Sequence, residues 1–564
     1  MDLKRIEQAY ELYQNKAYVD AEISIRTLLK EAPKNSDVLR LGALTALSLN
    51  QVVVAHSRLI EATKFCQMTA EMANTQGNIL KAAGDWSQAE TAYRHSIALD
   101  HTYEPVRANI IDCLIVSGQA ERAYAEIQQQ SDSYGPNDFL NFATARSLIL
   151  LGRYNEALNS AKAISEAFDP LKLAKLKLQL YFHLGKYDDM LNVFETIPAD
   201  SIIYIAESLA LVVNAYAMQD DWKSAQDIIK SICEAPNVLP SVFIKSIQLL
   251  TRGGYPEKAA KLRHKAQSRF KGHVDILADK AQCLMNQKQY QESCELYKEA
   301  LALRPGNYQI IIEFAKACLA AGRFDACESL IQGALQQAPN SQLLFALAAT
   351  LQRKRGGSYQ TLYDYNQFIQ TYDLKPPKGY ETITCFNKAL KDCLEQQHTF
   401  KSEPLNQSLR MGIQTDTDLA VIDDPVLKSF FEMIEAPIVS YMKKIGHEDT
   451  HPLKRRNTNQ YRINGAWSVK LSAQGHHVNH VHPMGWISSS YYVDVPDSVK
   501  GSKDKQGWIK FGEPDIPGLN LAAEKYVEPK AGRLVLFPSY MWHGTVPFSG
   551  DQSRLTLPFD VLPV

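Results

Sequence analysis

The chain of 564 residues has no excess of charge of either sign, since 61 Lys and Arg balance 62 Asp and Glu and the formal net charge is -1. This balance excludes the strongly basic composition that marks proteins binding polyanions. The run Lys454-Arg455-Arg456 is a local exception, and three basic residues in a neutral chain are typical of a solvated face. We therefore expect no nucleic-acid partner.

Long apolar runs are also missing. Nowhere do about 18 apolar residues follow one another, which is the length that a membrane-spanning helix needs. The first residues, MDLKRIEQAYELY, have an amphipathic pattern without the apolar core or the cleavage site of a signal peptide. We expect no membrane association and a cytoplasmic location.

Paired cysteine motifs are absent too. The nine cysteines, from Cys66 to Cys393, are scattered without CxxC spacing, and none lies in the β-rich segment near the end of the chain. This distribution excludes both a disulfide framework and a cysteine zinc site. Most of the cysteines lie in helical patterns such as AKACLAAG, where a buried reduced thiol is ordinary.

A repeat of about 34 residues occupies the first 350 residues. Large or apolar residues mark one register and recur every 33 to 35 residues, at Tyr18, Val52, Trp86, Ala120, Tyr154, Tyr187, Trp222, Tyr255, Tyr290 and Phe324. Other residues follow nearly the same step, namely Gly84, Gly118, Gly152 and Gly185, and later Pro305 and Pro339. Within a unit, apolar residues at helical spacing are interrupted once, as at residues 286–288, which predicts a helical hairpin.

This pattern resembles the tetratricopeptide repeat (TPR). The resemblance implies about ten hairpins over residues 1–350 that stack into an all-α superhelix, because no hairpin buries its apolar face alone. The units at Val52 and Ala120 depart from the pattern because they lack the aromatic residue, and a generic helical bundle is the alternative. TPR superhelices bind proteins or peptides on a concave surface, so we expect a partner of that kind.

The spacing of apolar residues changes after the repeats. The segment KPPKGY, at residues 375–380, stops helix propagation, so we expect a linker at residues 351–375 and a second domain at residues 376–564. Two helices are predicted there, at residues 383–397 and 425–444. Between residues 461 and 564, short alternating segments separated by Gly, Pro and Asp predict a β core that forms a barrel or a jelly roll.

Five of the 14 histidines lie in this β core, at His476, His477, His480, His482 and His543. In a strand, residues two apart share a face, so His480 and His482 of NHVHP can reach one ion. As ordinary core residues they would leave two polar rings in need of partners, which is costly unless something binds them. Arg554 lies between the last histidine and an apolar strand, and a buried arginine requires an anion such as a carboxylate.

Three stretches resemble the bacterial 2-oxoglutarate/Fe(II) oxygenases that are often joined to TPRs. They are QSLRMGIQT from Gln407, GAWSVKLSAQGHHVNHVHPMGWISSSYYV from Gly465, and GRLVLFPSYMWHGTVPFSGDQSRLTLPFDV from Gly532. The resemblance covers about the last 200 residues and implies a double-stranded β-helix, a jelly-roll or cupin-like fold, with flanking helices.

By this resemblance, His480, His482 and His543 bind Fe(II), and Arg554 grips the 5-carboxylate of 2-oxoglutarate. The hydroxyl of Thr556 could donate to the same carboxylate, and Tyr492 is the third residue assigned to binding of the cosubstrate. Tyr492, Trp467 and Trp486 are expected to line the pocket, with aromatic core packing as the alternative. O2 is the second cosubstrate, and ascorbate is a supporting reductant. His476 and His477 are interpreted as residues behind the ligands or on the surface.

One position departs from the superfamily pattern, because His482 stands where a carboxylate normally completes the triad of ligands. Three neutral imidazoles suit Fe(II) but also Zn(II), so a zinc-binding or degenerate site is the alternative. The expected reaction is decarboxylation of 2-oxoglutarate to succinate and CO2, coupled to hydroxylation of a peptide or protein side chain recruited by the repeats. A catalytically silent scaffold is the second hypothesis. A glycosyltransferase fused to repeats is excluded, since its doubly wound α/β pattern is absent from the terminal segments.

Overall fold

The computed structural model describes residues 3–49, 51–83, 85–165, 167–198, 201, 208–219, 221–236, 238–398, 408–415 and 418–564. Of the sequence features used above, Gly84 and Gln407 lie outside these residues. The chain forms two compact units, Met1–Leu176 and Lys177–Val564. Within the described ranges, no helix has both the length and the apolar character that crossing a bilayer requires.

The described residues of the first part of the chain lie mostly in helices. In the unit Met1–Leu176 and at its end they are α1 (Leu3–Gln14), α2 (Tyr18–Glu31), α3 (Ser36–Ser48), α4 (Val52–Thr63), α5 (Ala70–Ala82), α6 (Trp86–Leu99), α7 (Pro105–Val116), α8 (Ala120–Tyr134), α9 (Asp138–Leu150), α10 (Tyr154–Lys162) and α11 (Pro170–His183). In the second unit they are α12 (Tyr187–Glu195), α13 (Leu209–Met218), α14 (Trp222–Glu234), α15 (Pro240–Arg252), α16 (Pro256–Arg269), α17 (Val274–Asn286), α18 (Tyr290–Leu303), α19 (Tyr308–Ala320), α20 (Phe324–Gln337) and α21 (Gln342–Arg355).

The predicted repeat register is confirmed. Nine of its ten marker residues are the first residue of the second helix of a hairpin, and the tenth, Tyr255, is the N-cap before Pro256. The turns that precede these helices need a left-handed residue, which glycine adopts most easily. Gly118, Gly152 and Gly185 have φ of 75°, 70° and 64° there. The sequence period therefore arises because the turn and the second helix of each hairpin recur together.

Close packing inside a hairpin explains another glycine. A Cβ atom on Gly77 of α5 would lie 2.3 Å from the ring of Tyr93 on α6, and Tyr93 is fully buried. A side chain at position 77 would therefore force the two helices apart. Burial of a large aromatic side chain against a bare backbone is how the two helices of this hairpin reach close contact.

The remaining elements are helices and the strands of two antiparallel sheets. The helices are α22 (Tyr365–Phe368), α23 (Ile383–Gln397) and α24 (Pro425–Ile445), and the last two confirm the predicted helices. The strands are β1 (Gln370–Asp373), β2 (Leu409–Gln414), β3 (Tyr461–Ala466), β4 (Val469–His477), β5 (Ile487–Asp494), β6 (Ile509–Phe511), β7 (Lys525–Val527), β8 (Arg533–Pro538), β9 (His543–Thr545), β10 (Arg554–Leu557) and β11 (Phe559–Pro563).

Two antiparallel sheets result. The larger has the order β1-β8-β5-β10-β4-β2, with β11 paired to both β5 and β3, and the smaller has the order β7-β6-β9. Neighbouring strands are mostly distant in sequence, as in a jelly roll. The expected class, stacked TPR-like helices followed by an antiparallel β region of jelly-roll type, is confirmed.

Several local predictions need correction. Residues 351–375 are not a bare linker, since they contain α22 and β1, and β1 pairs with β8 in the larger sheet. His480 and His482, which were expected within a strand, follow β4, which ends at His477. The last strands, β10 and β11, are separated at Pro558, a residue without an N–H for the ladder.

The last repeat helix and the sheets share one hydrophobic core, which runs from Val274 to Val561. The indole N–H of Trp542 donates to the Thr350 hydroxyl on α21 over 3.1 Å, and the Trp542 backbone N–H donates to the Tyr363 hydroxyl over 3.0 Å. Arg353 of α21 donates to the Gly512 carbonyl over 2.7 Å. These contacts place α21 directly against the segment that precedes His543.

Candidate metal centre

Three histidines converge at one point of the β region. His543 opens β9, and His480 lies in the extended segment after β4, where it forms a β-bridge with His543 through backbone hydrogen bonds of 2.8 and 3.0 Å. The backbone N–H of His482 donates to the Ser539 carbonyl over 3.0 Å. One ring nitrogen from each histidine lies within 4.8 Å of the others, an arrangement that could hold a metal ion.

Hydrogen bonds at the outer nitrogens fix the tautomers of these rings. Nδ1 of His480 lies 2.8 Å from the Val478 carbonyl oxygen, and Nδ1 of His543 lies 2.9 Å from the Met541 carbonyl oxygen. A carbonyl only accepts, so both Nδ1 atoms carry the proton and both Nε2 atoms carry a lone pair. Nδ1 of His482 likewise contacts the Asp560 carboxylate, at 2.7 and 2.9 Å.

The inner nitrogens lie close enough together to bind a single cation. Nε2 of His482 is 3.2 Å from Nε2 of His480, and the ring centroid of His543 is 4.3 Å from that of His480. Lone pairs that face each other at this distance are the donor set of a metal site whose ligands are held from behind. The residues present thus fit a divalent transition metal.

Burial keeps two of the three rings unprotonated. Burial lowers the pKa of His480 to about 3, and the neighbouring His482 ring acts in the same direction. Burial also lowers the pKa of His543 well below its usual range. Neutral imidazole is the form that binds metals, so protons do not compete for these two rings near neutral pH.

A cavity of about 520 Å³ opens at the three histidines. Apolar side chains on its wall include Trp467, Met484 and Ile509, and polar ones include Gln414, Arg554 and Thr556. The ring centroid of Trp467 lies 5.7 Å from that of His482. A mostly apolar cavity with a few convergent polar groups is typical of a small-molecule site.

Arg554 is the unpaired cation of this cavity. It opens β10, is 2% exposed, and donates one N–H to the Gly507 carbonyl over 2.5 Å. Its Nε is buried without a hydrogen-bond partner, and no carboxylate of the described residues forms an ion pair with it. Burial lowers its pKa, which is the expected response of a guanidinium without an anion nearby.

Other predicted residues have different places. Thr556 lines the cavity, with its hydroxyl 3.5 Å from the Val469 carbonyl oxygen. Tyr492 does not line it but lies behind Arg554, whose Cζ is 6.0 Å from the ring centroid. Trp486 is a core residue that donates its indole N–H to the Leu453 carbonyl over 2.9 Å.

The two other histidines of this segment lie outside the cluster. His477 lines the cavity, and its Nδ1 lies 3.0 Å from the Ser408 hydroxyl. His476 is half-buried, and its Nδ1 lies 3.1 Å from the Gln474 carbonyl oxygen. Neither ring has a nitrogen within reach of the three convergent ones.

Asp560 is the site residue that the sequence analysis missed. It lies on β11, is 8% exposed, and lines the cavity beside His482. A carboxylate in the otherwise apolar pattern LPFDV was the available signal, because a buried acidic residue requires a partner. The partner could not be named before the strand register was known.

Charged side chains of the repeats lie near the same region. Burial and the positive charge of Arg410 lower the pKa of Arg252 on α15. Arg410 belongs to β2, and Ser408 and Gln414 on either side of it line the cavity. The pKa of Asp515, which burial raises, is also influenced by Lys316 of α19. Part of α15 therefore lies near β2, and part of α19 lies near Asp515.

Comparison with known families agrees with these observations. A model of the family described as "Putative 2OG-Fe(II) oxygenase" matches residues 465–560, and a tetratricopeptide repeat model matches residues 287–351. The chain therefore carries a TPR region and, at its C-terminal side, a domain of this oxygenase family. The oxygenase match includes all three histidines, Arg554 and Asp560. No curated protein matches the chain at a significant level.

Solved structures with similarity to the chain include proteins described as TPR proteins. The type IV pilus biogenesis factor PilW is 20% identical, with 34% of this chain and 88% of PilW aligned at a TM-score of 0.30. Part of a TPR repeat-containing protein from Cytophaga hutchinsonii is 16% identical, with 54% of this chain and 98% of that chain aligned at a TM-score of 0.25. These values add nothing to the assignment of the fold, which rests on the helices and strands themselves.

Proposed function

We propose that the protein is a 2-oxoglutarate- and Fe(II)-dependent dioxygenase that hydroxylates a peptide or protein side chain. The observation that carries the proposal is the group of three inward Nε2 lone pairs beside a buried, unpaired arginine in one cavity. The first feature calls for a metal and the second for an anion. The match to the oxygenase family agrees with both features, because that family is named for Fe(II) and 2-oxoglutarate.

His480, His482 and His543 would hold the iron. When bound, Fe(II) and 2-oxoglutarate supply O2-dependent oxidative decarboxylation coupled to hydroxylation. The chain's own part is to present three neutral imidazoles in fixed orientations, each held at Nδ1. Three protein ligands leave coordination positions for other molecules, as catalytic sites require.

Arg554 would bind the distal carboxylate of 2-oxoglutarate. Its guanidinium is planar and fixed by the Gly507 carbonyl, so it can form a bidentate pair at little entropic cost. The Thr556 hydroxyl on the same strand face could add a hydrogen bond. Binding of the carboxylate would also satisfy the buried Nε of Arg554.

The repeats support a peptide or protein as the prime substrate. TPR hairpins generally bind such partners, and the matched repeat region reaches Thr350 of α21, which contacts Trp542 directly before His543. Met484 is 78% exposed at the cavity and offers an apolar contact to an incoming side chain. We also propose a cytoplasmic location, where the nine free cysteines would stay reduced.

Succinate formation tests the proposal. The full-length protein, loaded with Fe(II) under ascorbate, should convert 2-oxoglutarate to succinate, because many such enzymes turn over slowly without a prime substrate. His543→Ala should abolish both metal loading and turnover, whereas His476→Ala, outside the cluster and the cavity wall, should retain both. Full turnover in His543→Ala contradicts the assignment.

A second measurement concerns the substrate. Peptides captured by the full-length protein should gain 16 Da by mass spectrometry with the active enzyme and not with His543→Ala. Equal turnover of a small molecule by the full-length protein and by a fragment of residues 240–564, which lacks the earlier repeats, counts against a peptide substrate. Tight Zn(II) binding with no succinate under any metal favours the silent scaffold instead.

A further inference from the structure

Asp560 explains how a third histidine can replace the usual carboxylate ligand. Two imidazoles and a carboxylate leave a Fe(II) site with one positive charge, whereas three neutral imidazoles leave it with two. The carboxylate of Asp560 lies one hydrogen bond outside the ligands, at 2.7 and 2.9 Å from Nδ1 of His482. The total charge of the cluster with Asp560 is then the same as in the two-histidine arrangement.

We propose that Asp560 is a positioning residue that orients His482 and strengthens it as a metal ligand, an inference that rests on the proposed function of the site. A carboxylate behind a ligating imidazole fixes the proton on the outer nitrogen and raises the basicity of the inner one. Of the three ligands, His482 alone has a charged partner at Nδ1, while His480 and His543 have carbonyl oxygens.

The surroundings of Asp560 show a built network. Strand β11 pairs with β5 so that Asp560 lies directly opposite Ser488, and the Ser488 hydroxyl donates to Oδ1 of Asp560 over 2.7 Å. The Ser488 and Ser539 hydroxyl oxygens are 2.8 Å apart, and the Ser539 carbonyl accepts from the His482 backbone N–H. Ring and backbone of His482 are therefore held by the same cluster.

A neighbouring glycine leaves room for this cluster. A Cβ atom on Gly485 would lie 2.3 Å from the Ser539 hydroxyl oxygen and 3.4 Å from Cγ of Asp560. Any side chain at position 485 would displace the Ser539 hydroxyl from its contact with Ser488. The network thus depends on a bare backbone beside it, which a sequence with a larger residue there could not provide.

The test is a Co(II) titration of the metal-free, full-length protein, followed by visible absorption. Asp560→Ala should weaken Co(II) binding by about 10- to 100-fold, the usual effect of removing such a partner. Asp560→Asn keeps an acceptor without the charge and should weaken it by less. In both variants the absorption should change, because the geometry of the His482 ligand changes. Asp551→Asn, an exposed neighbour, is the control and should match the wild type.

The outcomes separate the two proposals. Unchanged Co(II) affinity and absorption in both Asp560 variants, with succinate still formed by the wild type, overturns the role of Asp560 alone. Weakened binding in the variants, with a wild type that forms no succinate, supports Asp560 and contradicts the oxygenase function. A wild-type protein that binds no Co(II) overturns both. Thermal melting of the metal-free Asp560→Asn variant near that of the wild type shows that lost affinity is not lost folding.

Discussion

The repeat helices and the two sheets place their defining residues in different ways. In the repeats, each helix packs mainly on its neighbours along the chain, and the marker residues return at every second helix. In the sheets, the site takes His480 from the segment after β4, His543 from β9, Arg554 from β10 and Asp560 from β11. These elements meet only through strand pairing between distant segments.

Substitutions should therefore have local effects in the repeats and wider effects in the sheets. Stability in a repeat is a sum of local and nearest-neighbour contributions, so a change there stays local. A site made by long-range pairing depends on the whole sheet. The last repeat helix, α21, connects the two regions, since its buried residues share a core with the sheets.

The largest expected effect comes from cutting the chain at the predicted domain boundary. A fragment of residues 376–564 loses β1, Tyr363 and the contact of Thr350 with Trp542. We expect it to lack a cooperative thermal transition and to bind no metal. A fragment of residues 240–564, which keeps the entire shared core, should retain both by circular dichroism and metal titration. A folded, metal-binding 376–564 fragment would show that the sheets are independent of the repeats.

Next in size is the loss of the cavity arginine. Arg554→Gln should raise the KM for 2-oxoglutarate by about 100-fold or more, because the buried carboxylate of the cosubstrate loses its charged partner. Metal affinity should stay within about twofold of the wild type, which a titration without 2-oxoglutarate would establish. Arg462→Gln, at the exposed position of β3, is the matched control. A KM unchanged by Arg554→Gln would remove this residue from the proposed site.

A smaller effect is expected at the junction of α21 with the sheets. Thr350→Val leaves the buried indole N–H of Trp542 without an acceptor and should lower the free energy of unfolding by about 1–3 kcal/mol. Trp542→Phe removes the donor instead, and the double variant should be less destabilised than the sum of the two. Urea denaturation measures all three. Strict additivity would mean that this hydrogen bond does not couple the repeat helix to the sheets.

The smallest effect belongs to an ordinary repeat position. The Asn307 side chain caps α19 by accepting from the Ile310 N–H at 3.0 Å. Asn307→Ala should cost about 1 kcal/mol of stability in urea denaturation, the usual value of an N-cap. Metal affinity should not change, because the effect stays within one hairpin. A clear loss of metal affinity here would contradict the local behaviour of the repeats.

The repeats and the sheets also differ in how much of their structure the sequence predicts. The hairpins were predictable from Tyr18 to Phe324 because a period needs only local spacing. His480 and His482 were predictable as neighbours on one face, although the residues lie after β4 and not within it. Both rings nevertheless reach one point, because backbone hydrogen bonds hold His480 against His543 and His482 against Ser539.

Two features could not be predicted because they depend on pairing between distant segments. Strand β1 is four residues long, and only its partner β8 shows that it belongs to the sheet. The contact between Asp560 and His482 depends on the register of β11 with β5 and on the backbone at Gly485. No local pattern around Asp560 encodes either of these.

The most direct test of the account is an anaerobic titration of Fe(II) into the metal-free full-length protein, with and without 2-oxoglutarate. We expect the protein to bind one saturable equivalent of iron, and to bind it more tightly with 2-oxoglutarate. Iron and 2-oxoglutarate would share one cavity, so their affinities are linked. Binding should disappear in His543→Ala. Iron uptake that exceeds one equivalent, ignores 2-oxoglutarate or survives in His543→Ala would contradict it.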